Sequence, residues 1–353
     1  MKILFSLCSW GMGHATRDIP LIGKMLDDGH EVTIAAYGRS LELLKRTLQD
    51  RCEYIELFDY PSPYTRSSFM IGKIMLYFPK ILRAIKEEHR KASKIIHEGK
   101  FDRVISDARY GVYSKSVPSF FMAHQIRYIV PGRIFLGEVA TELFNHNFHK
   151  KFGTIIIPDY EKDSLSGDLS HNLRFKEGKR IEYIGIITDL KRKDVKQDVD
   201  YFISMSGPEP PRTVLEKKIL SQIGQLDGRI VMARGRPETM GIDKLENVEM
   251  HEFLDRHEQE NIMNRSRMII TRSGYTTMME LVALRKKALL IPTPGQTEQE
   301  YLSAYHNGLG TFYSVKQSKL SLGRDVEIAE KYSGFREQHS TEESVEKFMQ
   351  IVS

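Results

Sequence analysis

The sequence predicts an α/β fold of two doubly wound domains, each a parallel sheet with helices on both faces. Three observations predict it. Apolar runs of strand length alternate with helically spaced stretches through both halves of the chain, the pattern of βαβ units. The runs are apolar throughout rather than alternating, as in strands buried on both faces. A charged stretch, DLKRKDVKQDVD (189–200), reads as a linker between two such series. At 353 residues the chain has room for two domains of ordinary size.

The first series opens on KILFSLC (2–8), a buried strand. Ile19, Leu21, Ile22, Met25 and Leu26 recur at helical spacing and predict a helix over 15–28, stopped by Gly29. EVTIAAY (31–37) is the second strand, 41–48 a helix, YIELF (54–58) the third strand, and DYPSP a loop. FDRVISD (101–107), SFFMAH (119–124), GTIIIPD (153–159) and IEYIGII (181–187) continue as strands. The second series is YFISMSG (201–207), a helix over 214–225, GRIVMAR (228–234), MIITRSG (268–274), a helix over 275–284 and KALLIPT (287–293). Residues 340–352 read as a final helix.

Composition excludes several classes. Apolar content of 41% and charged content of 28% are those of a soluble globular protein. Cys8 and Cys52 offer neither a disulfide framework nor a metal pattern, which suits a reducing cytosol. Residues 3–10 are too short an apolar run for a signal peptide, and no stretch has the roughly 18 apolar residues of a membrane span. A net charge of +5 and a pI near 8.9 permit anionic partners such as nucleotides and phospholipid surfaces. The basic residues are spread, with no aromatic-studded basic strip, so nucleic acid is set aside.

SWGMGHATRD (9–18) leaves the first strand, where a doubly wound sheet binds its ligand. Gly11 and Gly13 suit a tight turn and close approach of a ligand, and Met12 lies between them. A dinucleotide fingerprint would need a third glycine at Thr16 and an acid near Ala36–Tyr37, and both are missing. No Gly-Lys-Ser/Thr follows, so this is no P-loop. His14 then stands out at the helix N-terminus, whose positive end keeps an imidazole neutral and able to accept a proton. The plainer reading is a histidine that caps the helix. Asp107 ends its strand at the same carboxyl edge, either to orient His14 and touch an acceptor or as a helix cap. Thr16 and Arg17 share the helix start and help cap and pair it. His124 and Gln125 follow another strand, with a packed loop histidine as the plainer reading.

ITRSGYTTMMELVALRKKALLIPTPGQTEQE (270–300) is the other informative stretch. A strand runs into Arg272-Ser273-Gly274, and a helix begins whose amides suit a diphosphate. Glu280, further along that helix, suits two ribose hydroxyls. A polar loop with Gln296, Glu298, Gln299 and Glu300 offers donors and acceptors to a sugar. Ser206 and Gly207 form a second loop of the same kind, with Arg212 nearby for charge. The layout suits a nucleoside diphosphate attached to a sugar.

On EFL (252–254), RSG (272–274), TTMMEL (276–281), IPTPG (291–295) and EQEY (298–301), this half resembles the C-terminal domain of the bacterial N-acetylglucosaminyltransferase family that makes lipid II, and its wider glycosyltransferase family. GMGHATR (11–17) and VISD (104–107) resemble an archaeal and bacterial branch of glycosyltransferase-like proteins that begin with G-x-GH-x-TR. The resemblance implies a GT-B fold, two Rossmann-like domains facing a central cleft. It implies an acceptor domain of 1–188 with the terminal helix 340–353 packed back on it, and a donor domain of 189–339.

It further implies that Glu280 binds the donor ribose and the Leu254 backbone the base. Ser206, Arg212, Ser273 and Gly274 would hold the diphosphate, and Gln299 and Glu300 the sugar hydroxyls; Gly207, Arg272, Thr277, Gln296 and Glu298 complete the expected donor site. Gln299-Glu300 stands where the family has a glutamine pair, which leaves the donor sugar open. His124 and Gln125 would line the acceptor side with Gly11, Met12, Gly13, Thr16 and Arg17.

The expected reaction is an inverting transfer from a nucleotide sugar, with UDP the expected nucleotide. His14 and Asp107 would do the base chemistry, and no metal or other cofactor is required. Asp198-Val-Asp200 has the form of a metal site but reads as solvated linker. A nucleotide-sugar 2-epimerase or hydrolase of the same fold, or a non-catalytic nucleotide-sugar sensor, are the alternatives. The basic, amphipathic stretch 68–94 has two readings: a core-facing helix with its lysines in water, or a face for an anionic membrane and a lipid-linked acceptor. The expected setting is the cytoplasm, with the inner face of the membrane as its variant.

Overall fold

A computed structural model describes residues 1–60, 70–175, 181–236, 241–245 and 247–353, with the side chains of 70–78 and 243–245 left aside. The chain forms two compact units, Met1–Asp189 with Gln338–Ser353, and Leu190–Glu337.

Unit 1 contains β1 (Lys2–Leu7), α1 (Met12–Asp27), β2 (Glu31–Ala36), α2 (Gly38–Leu48), β3 (Glu53–Glu56), α3 (Met70–Gly99), β4 (Arg103–Asp107), β5 (Ser119–Met122), α4 (Phe135–His149), β6 (Thr154–Ile157) and β7 (Ile181–Tyr183). The sheet order is β3-β2-β1-β4-β5-β6-β7, every pair parallel. The chain winds outward from β1 to β3, then returns to place β4 on the other side of β1. The point where winding reverses is therefore β1/β4, where Leu7 pairs with Asp107. Ile3, Phe5 and Leu7 of β1 face a core shared with Leu21, Ile22 and Met25 of α1. Leu4 faces the opposite core, with Ala92 and Ile96 of α3. This two-faced burial is why β1 is apolar at every position.

Unit 2 contains β8 (Val199–Ser204), α5 (Pro211–Leu220), β9 (Ile230–Ala233), β10 (Ile242–Leu245), β11 (Val248–His251), α6 (Arg256–Arg265), β12 (Ser266–Thr271), α7 (Tyr275–Ala283), β13 (Lys287–Leu290), α8 (Thr297–Gly308), β14 (Tyr313–Ser314) and α9 (Leu322–Glu330). Its order is β10-β11-β9-β8-β12-β13-β14, so winding reverses at β8/β12, where Ser204 pairs with Thr271. One pair, β10 with β11, is antiparallel. The terminal helix α10 (Thr341–Val352) belongs to unit 1, and its Phe348 and Val352 enter the α1 core. Its start carries a capping box: Glu343 N donates to Ser340 Oγ at 3.2 Å, and Ser340 N to Glu343 Oε2 at 2.9 Å.

Two expectations need correcting. The charged stretch is not linker to its end, because β8 begins at Val199. The segment holding Glu298, Gln299 and Glu300 is not loop but the first turn of α8, with Gln296 at its N-cap. In α3, residues from Pro79 onward bury Ile85, Ala92 and Ile96 and leave Lys80, Arg83, Lys86, Arg90, Lys91 and Lys94 exposed. Over that part the helix is core-facing with its basic side chains in water. The rest of the membrane reading, 68–78, falls outside the described side chains. Among the described residues no helix is long and apolar enough to cross a membrane.

Candidate active site

In unit 1 the β1/β4 reversal collects a charged cluster. The helix α1 starts at Met12, three residues earlier than its apolar spacing predicts, so His14 sits in its first turn. Gly11 caps it in extended backbone (φ 175°) that any residue adopts, so no tight turn requires this glycine. Among the described residues, no atom outside Gly11 and its chain neighbours lies within 4 Å of where a Cβ on Gly11 would stand. Met12 is 40% exposed there. Thr16 Oγ1 turns back to Gly13 O at 3.2 Å.

His14 Nδ1 lies 2.7 Å from Asp107 Oδ2. Arg17 Nε donates to the same oxygen at 3.2 Å, and Nη2 to Oδ1. Arg17 Nη1 reaches His124 Nδ1 at 3.1 Å. Arg17 is 1% exposed and Asp107 is fully buried, while the His14 side chain keeps 21% exposure. Asp107 is thus neither a helix cap nor a free carboxylate, and Arg17 is not a cap but the core of the cluster. Burial opposes ionisation of Asp107, but Arg17 and then His14 outweigh it and hold the carboxyl well below its usual range. An ionised Asp107 can only accept, so Nδ1 of His14 carries the hydrogen, and in the neutral imidazole the lone pair is on Nε2. The 3.0 Å approach of Arg17 Nη2 to that nitrogen is then packing, not a hydrogen bond.

The strand-to-helix turn is fastened from beside. Asp59 accepts from Ser9 N and Tyr60 N, each at 3.0 Å, and Trp10 Nε1 donates to Tyr60 O at 2.9 Å. Gln125 is half-buried next to His124. Sequence reasoning missed Asp18, also fully buried beside this cluster; its polar type at a core-facing helix position was the available signal.

In unit 2 the β8/β12 reversal brings together Ser206, Gly207, Arg272, Ser273 and Gly274 at the strand ends. Ser206 is exposed, and Gly207 has φ +100°, a conformation that favours glycine. Gly274 is the N-cap of α7, which has no side-chain cap and no acid in its first turn; Thr277 is half-buried on that turn. Arg272 is 1% exposed and pairs with no carboxylate among the described residues. Its Nη1 donates to the carbonyls of Ile291 (3.1 Å) and Pro292 (3.2 Å), its Nη2 to Pro211 (3.1 Å), and its Nε to nothing. Burial alone pulls its pKa down to about 10. Thr293 Oγ1 and Gln317 Oε1, both buried and both missed by sequence reasoning, also lack hydrogen-bond partners among the described residues. Gln317 shares the Pro211 carbonyl with Arg272, and a Cβ on Gly207 would come within 3.4 Å of Thr293 Oγ1.

The other expected donor residues are engaged with the protein. Arg212 holds Glu209 Oε1 through Nε (2.9 Å) and Nη2 (2.6 Å), and the Gly235 carbonyl through Nη1. Glu280, 4% exposed, pairs with Arg256 Nη1 at 2.7 Å. Gln299 Oε1 accepts from Thr293 N (2.8 Å) and Glu300 Oε1 from Gly295 N (3.0 Å), so both side chains shape the 293–295 turn. Ser273 Oγ donates to Gln299 O at 2.9 Å. Leu254 is buried, while Gln296 and Glu298 are half-buried at the start of α8.

Asp198 and Asp200 are committed elsewhere. Asp198 binds Arg265 (2.6 Å) and Arg229 (2.9 Å), and Asp200 binds Arg267 (3.0 Å).

The parallel order and its reversal in each unit point to a known architecture, and the second unit to a known family. Residues 198–348 match the glycosyltransferase family 28 C-terminal domain. The chain is 27% identical over 325 residues to a protein described as an uncharacterised glycosyltransferase from Methanosarcina acetivorans, covering 85% of this chain and 80% of that one. A similar protein from Methanosarcina mazei is 25% identical over 325 residues, covering 85% and 82%. Among solved structures, MurG of Acinetobacter baumannii superposes with a TM-score of 0.63 at 13% identity, over 99% of this chain and 98% of that one. The spinosyn rhamnosyltransferase SpnG gives 0.65 at 12% identity, over 100% and 96%. The fold is GT-B. Family match and fold together support a GT-B glycosyltransferase.

Proposed function

We propose that the protein moves a sugar from a nucleoside diphosphate to an acceptor hydroxyl, with inversion at the anomeric carbon. The observation that carries this reading is Arg272. A guanidinium this buried, with three carbonyls and no carboxylate, is a fixed positive charge awaiting an anion. It directly precedes Ser273-Gly274 and the start of α7, which has no side-chain cap and where an anion is favoured. The unpartnered Thr293 Oγ1 beside Gly207 adds a hydrogen-bonding group to the same place. SpnG, of the same fold, has been seen with thymidine diphosphate.

In this reading unit 2 holds the donor: its diphosphate at 206–207 and 273–274, its ribose at Glu280, and its sugar near Gln299 and Glu300. Unit 1 supplies the base. The acceptor enters over Gly11, and Nε2 of His14 takes its proton as the oxygen attacks the anomeric carbon. The nucleoside diphosphate leaves against the charge of Arg272 and the amides above it. The arginines that occupy Asp198 and Asp200 favour a transfer without a metal at that pair.

The test is thermal unfolding of the wild type and Glu280→Ala with uridine and thymidine diphosphates and their sugars. A nucleotide at 100 times its dissociation constant should stabilise the wild type by roughly 2.7 kcal/mol. Glu280→Ala should lose most of that shift. A panel in which no nucleotide shifts the wild type would sink the reading.

A further inference from the structure

Glu280 lies on α7 almost wholly removed from water, 4% exposed. Arg256, the first residue of α6, brings Nη1 to 2.7 Å from its Oε1. The pair fastens the start of one helix to the flank of the other. An arginine in the first turn of a helix opposes the helix dipole, so α6 itself gains little from this charge. That helix is already closed by a capping box between Asp255 and Glu258. The reach of Arg256 Nη1 to Gln259 Oε1 on its own helix is long, 3.5 Å. The charge of Arg256 therefore serves Glu280 rather than α6.

A buried carboxylate needs a cation or several donors; without them it takes a proton or turns to another partner. Either outcome would spoil a seat for ribose. The two vicinal hydroxyls of a ribose each donate a hydrogen, and an ionised carboxylate can only accept, through two oxygens with two lone pairs apiece. A protonated carboxyl carries a hydrogen where one of those hydroxyls must donate. Holding Oε1 also fixes the plane of the carboxylate, so the seat is shaped before a nucleotide arrives.

We propose that Arg256 is a positioning residue for the donor's ribose: it holds the Glu280 carboxylate charged and aimed for two hydroxyls, and so makes the site choose a ribonucleoside diphosphate over its 2′-deoxy form. It acts through Glu280. A deoxyribose brings one of the two hydroxyls and leaves a nearly buried acceptor unmatched, which costs affinity. The inference rests on the reading of unit 2 as the donor seat, with the ribose at Glu280.

The experiment is calorimetric titration of the full chain with uridine diphosphate and with 2′-deoxyuridine diphosphate, for the wild type, Arg256→Met and Arg256→Lys. Methionine keeps much of the apolar stem and carries no charge. Lysine keeps the charge, and one nitrogen suffices for a single contact to Oε1. The wild type should bind the ribonucleotide about tenfold more tightly than the deoxy form, the worth of a hydrogen bond to a charged group. Arg256→Met should lose about tenfold in affinity for uridine diphosphate and less than about threefold for the deoxy form, so that the preference collapses. Arg256→Lys should restore most of it. A preference as large in Arg256→Met as in the wild type would overturn the proposal, and so would a methionine variant that binds uridine diphosphate as tightly as the wild type. A merely structural role would lower the unfolding temperature and weaken both nucleotides alike, leaving the ratio unmoved. A wild type that binds neither nucleotide would remove the donor seat itself, and this inference with it. Binding by the wild type with an unmoved ratio would leave the seat standing and end the role of Arg256 alone.

Discussion

Arg17→Met is expected to lower the unfolding free energy of unit 1 by about 3–5 kcal/mol, the cost of stranding one partner of a buried ion pair. Arg17 gives two donors to Asp107, a third to His124, and is 1% exposed, so water cannot take its place. Methionine fills much of the volume, so the loss is of charge and hydrogen bonds rather than packing. The measurement is urea unfolding followed by a probe in unit 1. The double variant Arg17→Met, Asp107→Asn removes both charges and should recover most of the loss, because what costs most is the unpaired carboxylate. The pH dependence has a definite sign. Folding holds the Asp107 carboxyl below its usual range, so its contribution is present above the ordinary carboxylate pKa and is lost only as pH falls through strongly acidic values. Without Arg17, burial is left to raise that carboxyl, so the single-variant penalty should be largest at neutral pH and shrink as pH falls and the stranded carboxylate takes up a proton. A single variant as stable as the wild type would show that Arg17 is solvated in solution and that the cluster is not closed.

The strand ends at both reversals of winding were legible in the sequence, though not the strand order. β1 and β4 are apolar on two faces, and their ends carry GMGH and Asp107; β12 ends in Arg272-Ser273-Gly274. Strand burial and strand-end chemistry are local, so periodicity and motif find them. The start of α1 was not legible, because Gly11-Met12-Gly13 gives no apolar spacing and glycine disfavours helix. Nor were β10 and β11: IDKL and VEMH mix charge into short strands, as an edge hairpin permits. The first turn of α8 read as loop because its residues are polar, yet Glu298 and Glu300 there are the acids a helix start prefers. What sequence could not supply is who holds whom. Glu280 with Arg256, Arg212 with Glu209, and Gln299 with Thr293 pair residues whose meeting is set by tertiary packing. Asp18 is the sharpest case. It drew no notice in the sequence, and the arginine beside it turns to Asp107, ninety positions away.

His14→Gln is expected to lower the rate of sugar transfer by about 10²–10⁴-fold, the usual worth of a positioned general base. Glutamine can still donate to Asp107 from its amide, so the cluster keeps a hydrogen bond where Nδ1–H was, but it offers no basic nitrogen toward the acceptor. The proposed donor seat, at Arg272, Ser273, Gly274 and Glu280, lies wholly within the residues of unit 2. The thermal shift with a nucleoside diphosphate should therefore be the same in His14→Gln as in the wild type. This pairing of readouts is what gives the result meaning. A lost rate with an unchanged nucleotide shift assigns His14 to the chemical step. A lost rate together with a lost shift would mean that the substitution reaches the donor seat, and the base assignment would fail. A rate within tenfold of the wild type would remove His14 from the chemistry altogether, because no positioned base is worth so little when the attacking hydroxyl must lose its proton.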